Sequence, residues 1–157
     1  EDANGQFEIN WDCDDALVTA DRHAFFKYLV KSVSQKHGLR ATFMPKPFQG
    51  EAGNGLHVHC SVLNREGRNV FDNGGESGTP ELQHAIAGCV RYMPDSFLLF
   101  APSFNGYRRF QKGSHAPTYP GWGYENRTVA LRVPAGSPAA ESSSCPVAAE
   151  ANEQRNR

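Results

Sequence analysis

The chain has 157 residues and a formal net charge of −1, with 16 basic and 17 acidic side chains. This length allows one sizeable hydrophobic core and therefore one domain. The balanced charge offers no basic surface to nucleic acid or to a membrane, and no apolar run is long enough to cross a bilayer. We predict a cytoplasmic protein that binds neither, and whose four well-separated cysteines are reduced.

The opening segment alternates apolar and polar side chains. Phe7, Ile9 and Trp11 are apolar, whereas Glu8 and Asn10 are polar. Alternation of this kind predicts a half-buried strand, with the acidic side chain of Glu8 on the face opposite the core.

A helix is predicted after this strand, capped by Thr19 or Asp21 and ended by Gly38. Its apolar side chains follow helical spacing and predict a face packed on the core: Phe25, Phe26, Leu29, Val30 and Val33. Residues 41–44 then predict a short strand, which Pro45 closes.

A glycine-rich loop leads into a second alternating segment, residues 56–62. The apolar side chains predicted to face the core are Leu56, Val58, Cys60 and Val62. His57, His59 and Ser61 would project from the other face. If both strands lie in one sheet with their apolar faces together, Glu8 shares a face with the two histidines. Carboxylate and imidazole groups on a rigid sheet suit a divalent metal ion.

The middle of the chain contains clear signals for a hairpin and a second helix. Residues 64–68 predict the hairpin turn. Thr79 and Pro80 are typical of a helix start, and Pro94 of its end. The predicted buried stripe of this helix is Leu82, Ile86, Cys89, Val90 and Met93. Residues 95–101 continue as a shorter helical or irregular segment.

The last third combines a long aromatic loop, 103–126, with a strand at 127–134. On that strand Val129, Leu131 and Val133 would face the core and Arg132 the polar side, with Arg127 at the strand's entrance. Arginines near a carboxylate–histidine site suit the binding of phosphate or carboxylate, and the alternative is that they form surface ion pairs.

The order of the elements predicts an α+β fold with a largely antiparallel sheet backed by helices. Residues from 139 onward are small and acidic and show no apolar period. We therefore divide the chain into a folded part, 1–138, and a disordered or aberrant tail, 139–157.

Five motifs occur together in the order and close to the spacing of one known family. They are residues 5–8, 41–47, 55–59, 105–109 and 126–134. On these residues the chain resembles the glutamine synthetase family, over about residues 1–138, which correspond to the middle of the family's catalytic domain. The resemblance implies part of that family's catalytic barrel, and a homo-oligomer when the protein is full length.

The resemblance also implies an ATP-dependent ligase with two Mg²⁺ or Mn²⁺ ions. Such an enzyme phosphorylates the γ-carboxylate of glutamate, and ammonia or an amine then displaces the phosphate. The implied metal ligands are Glu1, Glu8 and His57. The implied nucleotide-binding residues are His59, Ser61, Arg127 and Arg132. Gly53 and Arg109 would bind glutamate, and Arg109 and Arg127 would act in catalysis.

Three features depart from the family pattern. His115 stands where ammonia-using members have a flap glutamate, which favours the branch that joins glutamate to an amine such as methylamine, ethanolamine or a polyamine. Ala52 stands where many members have an asparagine that contacts glutamate. After Ala140 the family expects an Arg-x-Glu-x-Arg strand, which this sequence lacks.

Two alternatives to an active ligase remain open from the sequence. In the first alternative, the chain is an inactive remnant that only binds nucleotide or metal, or assembles with full-length subunits. Otherwise it is an unrelated metal-binding α+β domain whose motif matches are coincidental.

Overall fold

A computed structural model describes residues 3–75, 77–111, 116–126, 128–134 and 149–152 of the chain. These residues contain four helices and four short strands. The helices are α1 (Ala16–Lys36), α2 (Pro80–Tyr92), α3 (Phe97–Phe100) and α4 (Phe104–Tyr107). The strands are β1 (His57–Cys60), β2 (Trp122–Tyr124), β3 (Leu131–Val133) and β4 (Ala149–Asn152). None of the helices within these ranges is long and apolar enough to cross a membrane.

The strands form one mixed sheet in the order β1-β4-β3-β2. β4 pairs antiparallel with β1 and with β3, whereas β2 and β3 are parallel. The α+β class predicted from the sequence is confirmed. Because one pair is parallel and every strand has only three or four residues, a largely antiparallel sheet and a closed barrel stay predictions.

The core lies between α2 and the β3 strand. Leu82 and Ile86 of α2 are 0% and 2% exposed, and they pack with Phe71, Leu131 and Val133. The helix therefore presents its apolar stripe to the sheet, as predicted. One member of the predicted stripe is wrong: Cys89 is exposed, because it lies at the edge of the stripe, beyond the reach of the strand.

The start of α2 is held by Thr79, as predicted. Its Oγ1 atom accepts a hydrogen bond from the backbone N–H of Leu82 at 3.3 Å and donates one to the carbonyl of Val70 at 2.6 Å. The same hydroxyl therefore caps the helix and attaches it to the end of the preceding hairpin.

We expect Thr79→Ala to lower the free energy of unfolding by about 1–2 kcal/mol, because both bonds of the hydroxyl are lost. Urea denaturation of the purified chain measures this change. Thr79→Ser is the matched control, since it keeps the hydroxyl. Equal losses in the two variants would show that the hydroxyl contributes nothing to stability.

The predicted hairpin is confirmed. The N–H of Asn64 donates to the carbonyl of Arg68, and the N–H of Val70 donates to that of Val62, each at 2.8 Å. Gly67 has a φ of 77°, a conformation that costs glycine little. The turn brings Asn69 and Val70 back toward the core.

The polarity pattern predicted for the last strand is also confirmed. Val129, Leu131 and Val133 are at most 5% exposed, while Arg132 between them is only partly buried. The strand itself is shorter than predicted and comprises Leu131–Val133.

The first helix differs from its prediction at the start and along its apolar face. Asp15 caps it, because its Oδ1 accepts from the N–H groups of Leu17 and Val18, so Thr19 and Asp21 lie inside the helix. The predicted end is confirmed, with Gly38 at a φ of 72°. None of its 21 residues is buried against the rest of the described chain, so the predicted core face is wrong.

Two apolar segments predicted to face the core are exposed instead, and two predicted strands are absent. Residues 6–11 and 41–44 form no strand, and Phe7 and Ile9 are 86% and 57% exposed. Val58 of β1 is 53% exposed. Alternation shows that a segment is able to lie on a sheet, but the strand forms only where another strand supplies hydrogen bonds.

The two irregular segments are attached to α1 by aromatic side chains. Trp11 and Phe43 each contact Phe26 edge-on, with ring centroids 5.4 and 5.8 Å apart. His23 lies beside Trp11, and its burial lowers the pKa of the imidazole, with a smaller contribution from the charge of Lys27. This helix thus holds the opening segment in place from its flank.

Two further predictions concern the cysteines and the tail. Cys60 and Cys89 are free, but Cys13 is disulfide-bonded, so the prediction of reduced cysteines is wrong for that residue. Pairing depends on which residues meet in space, which the spacing of cysteines along a chain does not reveal. β4 falls within the predicted tail, and the tail's other residues lie outside the described ranges.

Candidate functional site

Four segments that are distant in sequence meet at one place, which we call the junction. It consists of Gln6, residues 44–46, residues 53–54, and the pair Asn105 and Arg109 around α4. Gln6 and Arg109 form hydrogen bonds with the loop before β1, whereas Asn54 and Asn105 form hydrogen bonds with the turn at Lys46.

Asn54 is at the centre of the junction. Its N–H donates to the carbonyl of Pro45 at 2.8 Å, and its side-chain Nδ2 donates to the carbonyl of Met44 at 2.7 Å. Its Oδ1 accepts from Nε2 of Gln6 at 3.0 Å. Its own carbonyl accepts from Nη1 of Arg109. The loop is therefore tied to three other segments through one residue.

The turn at Lys46 is held from the opposite side by Asn105. The backbone N–H of Lys46 donates to Oδ1 of Asn105 at 2.7 Å, and Nδ2 of Asn105 donates to the carbonyl of Lys46 at 2.9 Å. The ammonium of Lys46 donates to the carbonyl of Glu51. Pro45 and Pro47 flank this lysine and restrict the backbone on both sides of it, so the turn is well defined.

Arg109 is a buried cation in the junction. Only 3% of its surface is exposed, and its aliphatic part packs on Gly53. A Cβ atom added at Gly53 would lie 2.6 Å from the carbonyl oxygen of Pro45 and 3.2 Å from Cδ of Arg109. Position 53 therefore has no room for a side chain. The two residues predicted to bind glutamate, Gly53 and Arg109, are in direct contact.

Gln6 connects the opening segment to the same loop. Its Nε2 donates to the carbonyl of Gly53 at 2.9 Å as well as to Asn54. Glu8 follows two residues later and His57 begins β1 three residues after Asn54, so the segments that carry these predicted metal ligands are neighbours. Both side chains are partly buried.

The predicted metal site is incomplete within the described residues. Glu1 lies outside them, and no three histidine, cysteine or acidic side chains in the described ranges are grouped closely enough to hold an ion. Glu8 and His57 supply an oxygen and a nitrogen donor of the right type but do not make a site by themselves.

The residues predicted to bind nucleotide are partly assembled on the sheet. His59 of β1 and Arg132 of β3 both pair with position 150 of β4. Directly paired residues project from the same face, and strands lie about 4.8 Å apart, so His59 and Arg132 share a face about 10 Å apart. His57, two residues before His59, is on that face as well. Ser61 follows β1 and is partly buried.

Two of the predicted residues lie outside the described ranges. They are Arg127, which we predicted for both nucleotide binding and catalysis, and His115, the departure from the family's flap glutamate. Their roles stay predictions.

Sequence reasoning missed the residues that hold the junction together, Gln6, Asn54 and Asn105. The glycines around Asn54 indicated a loop able to approach a ligand, but nothing in the local pattern indicated its partners. Two of those partners, Gln6 and Arg109, are 48 and 55 residues away in the sequence.

Comparison with known proteins decides the family. The family described as glutamine synthetase, catalytic domain, matches residues 1–147. The chain belongs to the glutamine synthetase family. This confirms the resemblance inferred from the five motifs.

Relatives within the glutamine synthetase family include both glutamine synthetases and an amine ligase. The chain is 44% identical over 137 residues to gamma-glutamylputrescine synthetase PuuA of Escherichia coli (strain K12), covering 87% of this chain and 29% of that protein. It is 48% identical over 143 residues to glutamine synthetase of Rhizobium meliloti (strain 1021), covering 85% and 33%. The chain thus spans about a third of the length of these curated relatives.

Solved structures of the family have the same fold. The structure "Apo GmaS without ligand" matches with a TM-score of 0.79 and 43% identity, covering 96% of this chain and 33% of that one. The structure "GmaS/ADP complex-Conformation 1" matches with the same TM-score and 41% identity. The fold of this chain is therefore that of the corresponding part of a glutamine synthetase-type catalytic domain.

Proposed function

We propose that this chain forms the substrate-binding part of an ATP-dependent ligase that joins glutamate to an amine or to ammonia through γ-glutamyl phosphate. The observation that carries the proposal is the buried Arg109, which is held against the Gly53–Asn54 loop. A hydrogen bond to the carbonyl of Asn54 helps to offset the cost of burying this cation, and the cation lies next to the glycine loop that leads to the histidine strand.

The geometry of Arg109 suits recognition of a carboxylate. A guanidinium presents its N–H donors in a rigid planar fork, and the bond from Nη1 to the carbonyl of Asn54 fixes the plane of that fork. Bidentate pairing with a carboxylate requires such a fixed plane. Because Gly53 has no side chain, a substrate carboxylate is able to approach the loop backbone closely.

We assign the nucleotide phosphates to the sheet face that carries His59 and Arg132, with Ser61 and Arg127 contributing. The complex of the relative GmaS with ADP supports nucleotide binding by the full-length protein. In phosphoryl transfer the protein mainly positions the groups and neutralises their charge, which the arginines do here.

We also propose that Glu1, Glu8 and His57 are ligands of Mg²⁺ or Mn²⁺. Such ions would neutralise the phosphate oxygens of the nucleotide. The full-length protein would act as a homo-oligomer. For the second substrate we favour an amine, because His115 replaces the flap glutamate and a relative is a gamma-glutamylputrescine synthetase. Ammonia is the second candidate, supported by the glutamine synthetase relatives.

Phosphate release from ATP by the purified chain, in the presence of glutamate, Mg²⁺ and an amine, would identify it as an active ligase, and we expect His57→Ala to reduce any such rate at least about a hundredfold. A coupled phosphate assay with putrescine, methylamine or ammonium measures it. The matched control is His84→Ala, which removes an exposed histidine from the side of α2.

The outcomes separate the alternatives. Binding of ATP without phosphate release would identify the chain as an inactive remnant. A clear preference for ammonium would overturn the assignment of an amine. Equal activity of His57→Ala and His84→Ala would contradict a role for the histidine strand.

A further inference from the structure

Each of the four polar atoms of Asn54 has a partner in the junction, and these partners come from three different segments. The backbone N–H and the side-chain Nδ2 are bound by carbonyls of the turn, those of Pro45 and Met44. Oδ1 is bound by Gln6, and the backbone carbonyl by Arg109. Each polar group of Asn54 therefore already has a hydrogen-bond partner within the junction.

The two side-chain bonds fix the orientation of the Asn54 peptide. Its Nδ2 donates to the turn and its Oδ1 accepts from Gln6, so hydrogen bonds hold the residue on two sides. The carbonyl that accepts from Arg109 belongs to this same residue. Rotation of the Asn54 backbone would therefore displace the acceptor that orients the guanidinium.

Hydrogen bonds and close contacts also fix the position of Gly53. Its carbonyl accepts from Gln6 at 2.9 Å, and its Cα faces the carbonyl of Pro45 and the side chain of Arg109. Because Asn54 donates to the carbonyl of Pro45, the same bond sets how closely the turn approaches Gly53. Loosening Asn54 would thus change both groups proposed to bind glutamate.

We propose that Asn54 is a positioning residue for glutamate, acting through Arg109 and Gly53 without touching the substrate. The inference rests on the proposed function, because it assigns glutamate to Arg109. The side chain of Asn54 couples the opening segment to the substrate arginine. Its loss should therefore weaken the binding of glutamate and leave the binding of ATP unchanged.

Two variants distinguish the two hydrogen bonds of the Asn54 side chain. Asn54→Ala removes both, whereas Asn54→Asp keeps an acceptor for Gln6 and loses the donor to Met44. Asn73→Ala is the matched control, because the Asn73 side chain also bridges a loop, bonding Gly75 N–H at 2.9 Å and the carbonyl of Gly78 at 2.6 Å.

The affinity experiment is isothermal titration of the whole chain with L-glutamate and, separately, with ATP. We expect Asn54→Ala to weaken glutamate binding about tenfold and Asn54→Asp by less, with the ATP affinity unchanged. Asn73→Ala should change neither. Equal weakening for glutamate and ATP would show a general loss of structure and overturn the inference.

A second measurement does not depend on glutamate binding. In ¹⁵N NMR spectra of the chain without substrate, the side-chain Nε–H resonance of Arg109 is expected to shift and to exchange faster in Asn54→Ala than in Asn73→Ala. An unchanged resonance would overturn the positioning role. If the unaltered chain binds no glutamate while the resonance shifts, the proposed function fails for this chain and the positioning of Arg109 stands.

Discussion

Gly53→Ala is expected to raise the dissociation constant for glutamate by about tenfold or more and to lower the free energy of unfolding by about 1–3 kcal/mol. The added Cβ would lie 2.6 Å from the carbonyl oxygen of Pro45, and 3.2 and 3.3 Å from Cδ and Cγ of Arg109. The carbonyl has little freedom to move, because it accepts from the N–H of Asn54 at 2.8 Å. The side chain of Arg109 must therefore shift, and its guanidinium shifts with it.

Titration calorimetry with L-glutamate and urea denaturation measure the two effects of Gly53→Ala. Gly88→Ala is the matched control, because a Cβ at this position of α2 would meet nothing within 4 Å. Since alanine favours a helix over glycine, the control should gain up to about 1 kcal/mol of stability. Unchanged glutamate binding in Gly53→Ala would refute the assignment of this contact to the glutamate site.

Leu82→Ala should lower the free energy of unfolding by about 2–5 kcal/mol, the largest stability effect we expect in the chain. Leu82 is fully buried and is part of the cluster that joins α2 to β3. Removing its isobutyl group leaves a cavity among Phe71, Ile86 and Leu131, which are themselves nearly buried. These neighbours come from a loop, a helix and a strand, so they are unable to collapse together without moving the backbone.

Urea denaturation followed by far-UV circular dichroism measures the loss in Leu82→Ala. Leu99→Ala is the matched control, because Leu99 in α3 is 80% exposed and its truncation should cost less than about 0.5 kcal/mol. Comparable losses in both variants would mean that the α2–β3 cluster is not the stabilising core of this chain.

The sequence predicted the parts of the fold whose signals are local. Thr79 and Pro80 mark the start of α2 within one turn, and the turn at 64–68 is determined by residues a few positions apart. Alternation around Arg132 also sufficed, because Val129, Leu131 and Val133 are buried, and the last two pack in the cluster that contains Leu82 and Ile86 of α2.

Prediction failed where a segment depends on a distant partner. Phe7 and Ile9 have the alternation of a strand, yet no strand lies beside them in the described chain. The apolar face of α1 has helical spacing but is not buried. In both cases the pattern shows which side chains favour burial, and only the three-dimensional arrangement determines what covers them.

In the candidate site, too, local signals could be predicted and contacts with distant partners could not. The motifs were sufficient to name Gly53 and Arg109, and the structure places these two residues in contact. The polar residues that hold them, above all Asn54, give no periodic signal, because a hydrogen bond across the fold leaves no regular spacing in the chain. Glu1 and Arg127 lie outside the described residues, so their assignments rest on the family resemblance alone.

The junction has a consequence for the order in which the chain folds. Its bonds from Gln6, Arg109 and Asn105 join residues 47, 48, 55 and 59 positions apart, so each of these must close a long loop before it contributes any stability. The hairpin and α2 form from contacts between near neighbours and need no such closure. We therefore expect the substrate arginine to reach its place late in folding. In pulse-labelled hydrogen exchange, the amide of Lys46, which donates to Asn105, should gain protection after that of Ile86.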